Sequence, residues 1–426
     1  MDMKESAKKA LRKAPGVGKY LTHHHNQLLA QEEVIKKLEA RNDEWAAEVR
    51  ELRGAPKPME ILWPVTRADI IAADLRKKMH LAPTKPHSGP YTFNWVVPPV
   101  GSVSGGHAVI FRLINFLESQ GHTCRVYFYD PLNQSTFEQT TANLVSKHHK
   151  IKAELFYNEE TMLDADASIA TSWPTAYPVR NFQGTGKKFY LIQDYETVFE
   201  PSGTYSALAD NTYRMGLHAI STTPGTTEIL KDGYDIKKID TIELAVNQGE
   251  YTMTNTAKRK KILFYARPVT PRRGFELGVL TLELFHAKHP EYEIVFLGWD
   301  IAPYVIPFPY TNRGIISTEE QNKLYNECAA GLVLSFTSIS LMTVEIMAAG
   351  CQPVVNETIY TKMVGYTDGL AYAQPTPQAL ADALSDAVTN PNALANAKRL
   401  STFSEKFTWE KSEAEFMHIF DRELGQ

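Results

Sequence analysis

Strand-like runs alternate with amphipathic helical runs along most of this chain, and the alternation begins twice. The first series opens with YTFNWVV at residues 91–97, followed by a Gly/Pro/Ser-rich loop. A helix then follows with Val109, Ile110, Leu113, Phe116 and Leu117 on one face, closed by Gly121, and Arg125–Tyr129 gives the next strand. Ala167–Thr171, Lys188–Ile192, Ala219–Thr222 and Thr241–Val246 are further strand candidates. Asn247–Lys261 is polar, without apolar periodicity, and reads as a linker. The series then restarts with the strand Lys261–Ala266 and a helix through Leu277, Leu280, Leu284 and Phe285. The strand Glu293–Leu297, the helix Glu319–Ala330, the strand Gly331–Phe336, the helix Leu341–Ala349 and the strand Pro353–Asn356 complete it. Strands separated by helices cannot form hairpins and must lie parallel, with helices covering both faces. At 426 residues the chain exceeds a single core. The prediction is α/β, with two doubly wound Rossmann-like domains facing a cleft. The expected divisions are a helical extension at 1–55, a first domain at 56–246, a second at 247–408, and a C-terminal helix at 409–426 that packs back on the first domain.

The formal net charge of −4 offers no general attraction to a polyanion, which argues against nucleic acid as the partner. Cys124, Cys328 and Cys351 are odd in number, far apart and in apolar surroundings, so buried thiols in a reducing compartment are expected, with no zinc site. No apolar run approaches the roughly 18 residues that span a bilayer. The N-terminus lacks the apolar core of a secretion signal, and a cytoplasmic location is predicted.

Residues 1–55 differ from the rest. Lys4, Lys8, Lys9, Arg12, Lys13 and Lys19 face only Asp2 and Glu5 in the first twenty positions. Ile35, Asn42 and Val49 interleave with Leu38, Trp45 and Leu52 in two seven-residue series, an a/d seam with one polar member. Three readings fit it: a helical hairpin packed on its own protein, a homodimer contact, or a basic segment resting on the inner face of a membrane. His23, His24 and His25 point about 100° apart on a helix and read as surface residues rather than metal ligands.

Three motifs carry chemistry. The loop from Pro98 to Gly106 joins the first strand to its helix, and Gly105 and Gly106 would let backbone N–H groups approach an anion at the helix N-terminus. It has neither GxGxxG spacing nor the Lys-Ser/Thr of a Walker loop. Arg267 follows the first strand of the second series, and Arg272, Arg273 and Gly274 open the next helix, where cations suit a phosphate. Two arginines of one loop could neutralise a diphosphate leaving group; loop arginines at the surface are the plain alternative. In the third, a Ser/Thr-rich turn from Ser335 leads to a helix starting near Leu341, with Ser340 as its expected N-cap. Glu345 is the only carboxylate on that helix, and ribose hydroxyls would supply the donors it needs.

The order KILFYARPVTPRRGFE, IVFLGW, STEEQNKLYNECAAGLVLSF and TVEIMAAGCQPVV resembles the C-terminal domain of retaining glycosyltransferases of family 4, which have the GT-B fold. ELAVNQGEY is similar to that family's interdomain Asn-Gly-Val-Asp segment. NWVVPPVGSVSGGHAVIFRL together with YLIQDYETVFEP most resembles rhamnosyltransferases of rhamnan and S-layer glycan assembly, of the WsaF type. The resemblance covers roughly residues 90–420. It implies that Arg267 and Arg273 contact the diphosphate, Arg273 standing where the family usually has Lys. It places backbone amides of Ser340, Leu341 and Met342 around the phosphates or sugar, and Glu345 on the nucleoside sugar. Gly314, Ile315 and Gly298 would bracket the base, and Gly105 and Gly106 would close from the other domain. The family pairs two glutamates eight residues apart, and the place of the first falls on Thr337. Gln193 stands where relatives often have His; Gln193, Asp194 and Glu196 are acceptor-side candidates, with Asp194 also a catalytic candidate and a structural role for all three the alternative.

The expected activity is retaining transfer of a rhamnosyl unit from dTDP-L-rhamnose to a growing glycan, which could be lipid-linked, without metal or cofactor. A catalytically inactive nucleotide-sugar-binding module is the alternative that Thr337 favours. An oxidoreductase or epimerase of similar layout would need a glycine fingerprint that Gly101–Gly106 does not match.

Overall fold

The computed structural model describes residues 29, 31–47, 61–83, 87–101, 105–147, 151–157 and 161–425. The chain divides into two compact units, Met1–Leu62 and Trp63–Gln426. In the first, residues 31–47 are helical. Ile35, Leu38 and Trp45 on this helix are 53%, 60% and 65% exposed. Val49, Leu52, the three histidines and the basic first twenty residues lie outside the described residues.

The second unit holds two wholly parallel sheets. The first comprises β1 (Thr92–Val97), β2 (Thr123–Phe128), β3 (Glu154–Phe156), β4 (Ala165–Ala170), β5 (Thr185–Ile192), β6 (His218–Ser221) and β7 (Ile239–Thr241), in the order β3-β2-β1-β4-β5-β6-β7. The second comprises β8 (Lys261–Tyr265), β9 (Glu293–Leu297), β10 (Thr311–Asn312), β11 (Cys328–Leu332), β12 (Gln352–Asn356) and β13 (Ala371–Ala373), in the order β10-β9-β8-β11-β12-β13. In both, the order reverses beside the first strand, between β1 and β4 and between β8 and β11. Loops leaving adjacent strands part there and open a crevice at the carboxyl ends.

Burial on both faces explains why these strands read as continuous apolar runs. Phe93, Trp95 and Val97 of β1 enter one core while Val96 enters another. The Trp409–Leu424 helix closes the first of these: Phe420 meets Phe93 at 4.8 Å and Phe189 at 5.0 Å between ring centroids, and Phe416 meets Trp95 at 6.1 Å. Each buried ring contributes on the order of 1.5–3 kcal/mol. Arg112, stacked on Trp409 and paired with Glu413 at 2.8 Å, ties the same helix to Gly105–Ser119.

Several local expectations need correction. The helix expected over Glu319–Ala330 spans Thr318–Glu327, and Cys328 already begins β11. The run Cys328-Ala329-Ala330-Gly331 has small side chains because β11 is squeezed between β8 and β12; a Cβ on Gly331 would lie 2.8 Å from Ile346. Alanines there serve packing, against their helix propensity. Leu280 is exposed, and besides the expected Phe285 the Phe275–Lys288 helix buries Phe275, Gly278, Thr281 and Leu282. Strand pairing stops at Thr241 rather than reaching Val246.

The polar segment 247–260 has no regular element beyond a turn, but it is stitched to the second sheet's helices rather than loose. Asn326 Oδ1 accepts from the amides of Thr254 and Asn255, and the Arg259 guanidinium, buried, donates to the carbonyls of Asn255, Cys328 and Ala349. Its polarity satisfies buried carbonyls, as buried backbone groups require.

Candidate functional site

A cavity of about 320 Å³ lies between the carboxyl edges of the two sheets. From the first sheet it is lined by Pro98, Gly105 and Gly106 after β1, Thr171 and Ser172 after β4, and Gln193, Asp194, Glu196 and Phe199 after β5. From the second come Tyr265, Arg267, Thr270, Arg272 and Arg273 after β8, and Ser338–Leu341 after β11. The strands either side of both reversal points therefore feed one space.

Its second-sheet wall is cationic. Arg267 stands over Trp299, 5.6 Å from the ring centroid, with Nη1 3.5 Å from the Tyr265 hydroxyl. Arg272 lies over Phe199 of the first domain at 4.2 Å. Arg273 donates to Ser335 Oγ at 2.9 Å and to the Ser338 carbonyl at 3.3 Å. Among the described residues, the buried Nε atoms of Arg267 and Arg272 find no acceptor. Unsatisfied buried donors are costly, and these two border a cavity that an anion could fill. Burial, and after it repulsion from Arg273, lowers the Arg272 pKa below its usual value.

The loop after β11 is held by Asn356, whose side chain accepts from Ser335 N at 2.8 Å and donates to Ser335 O at 2.7 Å. Thr337, at the place where a carboxylate would be expected, is wholly buried with its hydroxyl 3.4 Å from Ser335 Oγ. The following helix runs Met342–Ala348 with Leu341 in the cap position. Ser340, expected as the cap, still accepts from Met342 N at 3.3 Å, because the turn begins one residue later.

The first-sheet wall is acidic and glycine-rich. Gln193 Nε2 donates to the Gly106 carbonyl at 3.2 Å, and His107 Nε2 lies 3.0 Å from the Pro98 carbonyl. Asp194 Oδ1 accepts from Tyr195 N at 2.8 Å and, across the cleft, from Ser338 N at 3.0 Å. Glu196 is buried and accepts from Trp173 N; burial pushes its pKa up to about 8, against the lowering from that amide. The two domains also touch where Gly225 N donates to the Met363 carbonyl at 3.0 Å. A Cβ on Gly225 would come 2.5 Å from Met363 Cα.

Of the residues singled out in the sequence, Gly105, Gly106, Gln193, Asp194, Glu196, Arg267, Arg273, Ser340 and Leu341 line this cavity. Met342, Glu345, Gly298, Gly314 and Ile315 stand outside its wall. Gly298 N donates to the Gly314 carbonyl at 2.8 Å, and both glycines have positive φ, +106° and +56°. A Cβ on Gly298 would lie 2.8 Å from the Tyr265 ring, so that corner stays open only with glycine. Ile315 is half exposed beside it. Glu345 is partly buried, and burial followed by repulsion from Glu250 raises its pKa to about 7. Phe199, Tyr265 and Asn356 carry no site signal in the sequence, and Arg272 enters there as a loop cation without an assigned contact. The Arg272-Arg273 pair was the available signal.

Residues 260–385 match the family model described as the WsaF C-terminal domain. The matched stretch spans the whole of the second sheet, from β8 to β13. Over 312 residues the chain is 31% identical to the O-antigen biosynthesis protein RfbC of Myxococcus xanthus, a match over 70% of this chain and 24% of that protein, so it spans about a quarter of that relative's length. Three solved structures share the architecture. HepE of Anabaena, in complex with UDP-glucose, gives a TM-score of 0.62 at 11% identity, over 78% of this chain and 100% of that one. TarM of S. aureus, in complex with fondaparinux, alpha-GlcNAc-glycerol and UDP, gives 0.63 at 9%, over 78% and 100%. Sucrose-phosphate synthase of Thermosynechococcus elongatus gives 0.59 at 14%, over 78% and 98%. At these identities they show the fold, which is GT-B, with two Rossmann-like sheets facing each other.

Proposed function

We propose that this chain is a glycosyltransferase of glycan assembly that binds a nucleoside-diphosphate sugar in the cavity between the two sheets. The observation that carries the reading is the wall of Arg267, Arg272 and Arg273, two of them with unpaired buried Nε donors, set opposite Gly105 and Gly106. The fold and the O-antigen relative support it, and HepE and TarM were each solved with UDP or a UDP-sugar.

In this reading Arg267 and Arg272 take the diphosphate while Arg273 braces the Ser335–Ser338 loop and adds charge. Glu345 accepts hydrogen bonds from the ribose, and Gly298, Gly314 and Ile315 flank the base. The donor's anomeric carbon–oxygen bond breaks, its electron pair passing to the diphosphate oxygen that the guanidinium groups stabilise. The acceptor hydroxyl forms the new bond on the same face, and its proton leaves with the departing phosphate, giving retention. Three arginines supply the positive charge that a divalent ion would otherwise bring. We further propose dTDP-L-rhamnose as donor, on the resemblance of both halves to WsaF-type rhamnosyltransferases, with a glycan as acceptor at the cytoplasmic face of the membrane. Among the described residues, no helix is long and apolar enough to cross a membrane.

Donor turnover, measured with dTDP-rhamnose and UDP-glucose in excess chelator, tests this. Sugar transfer that persists supports it, and activity abolished by chelator and restored by magnesium rejects the metal-free form. Thr337, with no carboxylate at its place, favours the second reading, a binding module. That reading predicts donor binding with no turnover whatever glycan acceptor is supplied.

A further inference from the structure

Asp194 leaves β5 on the first-domain side of the cleft, is only 7% exposed, and uses its two carboxylate oxygens differently. Oδ1 takes two backbone amides, Tyr195 N from its own domain and Ser338 N from the facing one. Among the described residues none donates a hydrogen bond to Oδ2, and the residue lines the cavity beside Gln193 and Glu196, opposite the arginines. The grip on Ser338 holds this carboxylate on the loop after β11, two residues from Ser340, instead of leaving it free to follow the first domain.

An anion drawn in by the arginines cannot use Oδ2, since a carboxylate and a phosphate are both negative acceptors. The part of a nucleotide sugar that can use it is a hydroxyl. The second domain offers no acidic side chain of its own on this loop: Ser335, Ser338 and Ser340 are hydroxyls, and Thr337 is turned into the interior.

We propose that Asp194 Oδ2 accepts a hydrogen bond from a hydroxyl of the transferred sugar, so that the first domain completes the sugar site of the second and selects among donors. This rests on the nucleotide-sugar reading above. It makes closure and sugar recognition one event, because the same carboxylate clamps the domains through Oδ1 and reads the sugar through Oδ2.

Asp194→Asn is the informative variant. Its oxygen can still accept from the two amides, while the second position becomes a donor. Asp194→Ala removes both. Affinities for dTDP and dTDP-rhamnose, and for UDP and UDP-glucose, are measured by calorimetry on the full chain without acceptor. For the pair that the natural chain binds more tightly, Asp194→Asn is expected to keep nucleoside-diphosphate affinity within about twofold and to lose at least tenfold toward the sugar nucleotide. Asp194→Ala shows the same split with a lower melting temperature. Equal weakening of both ligands would make Asp194 a clamp alone and overturn the proposal. So would unchanged affinity for both, or unchanged donor binding with only the acceptor KM raised. A natural chain that binds none of the four ligands would remove the nucleotide-sugar reading itself, a result distinct from these.

Discussion

The two sheets repeat one topology, yet the loop that follows the first strand is built differently in each. After β1 the chain runs through prolines and glycines into the Gly105–Ser119 helix, and carries no charge between Pro98 and Gly106. After β8 it runs through Arg267, Arg272 and Arg273 into the Phe275–Lys288 helix. The acids follow the opposite rule, with Asp194 and Glu196 on the first sheet facing the arginines of the second. In the proposed reading, one fold used twice gives a wall that holds an anion and a wall that closes on it. The difference lies in the loops, where side chains can change without disturbing the strand cores.

This division of labour can be broken from either side, and the sides should fail differently. Arg267→Ala removes a cation from the holding wall and should reduce sugar transfer by about 10²–10³, as loss of one transition-state donor does elsewhere. Steady-state kinetics with dTDP-rhamnose checks this, and a loss under threefold would place the charge elsewhere. Gly225→Leu should act on the closing wall, forcing the side chain into Met363. We expect turnover to fall about tenfold while dTDP affinity stays within twofold, because only the approach of the domains is hindered. Comparable losses in both would mean the walls are not separable.

Glu345 sharpens the comparison through pH. Its carboxyl is raised to about 7, and a ribose needs the ionised form as acceptor. Donor affinity should therefore rise several-fold between about pH 6 and pH 8 and level off above, as proton loss ceases to oppose binding. Glu345→Gln should bind weakly with a flat profile, read by calorimetry across that range. Glu196 provides the smallest effect, read on stability. Its folded pKa, about 8, is above the ordinary 4.5, so its stabilising contribution is complete below about 4.5 and declines as pH rises through 8. Glu196→Gln should remove that decline, seen as a melting temperature less sensitive to pH between 5 and 8 than that of the natural chain.

Much of this architecture is legible in the sequence because buried parallel strands are apolar on both faces and bounded by turn residues. β9 falls on the Glu293–Leu297 run, and Arg267 is visible as a cation just beyond a strand end. The start of β11 is not legible because Cys328, Ala329 and Ala330 are small for packing reasons that only the neighbouring strands reveal. The Asp194–Ser338 contact joins residues 144 apart, and the polarity of Asn255 and Arg259 cannot be told in sequence from that of a solvated linker. Arg272 is visible in sequence as a loop cation, but its position over Phe199 depends on the first domain's approach.

The most direct test of the central claim is calorimetric titration of dTDP and UDP into the natural chain and into the Arg267→Ala, Arg272→Ala double variant. Binding of at least one nucleotide by the natural chain, weakened more than tenfold in the double variant, is the predicted result. Equal affinity in the two proteins would show that the nucleotide is held somewhere other than between the sheets.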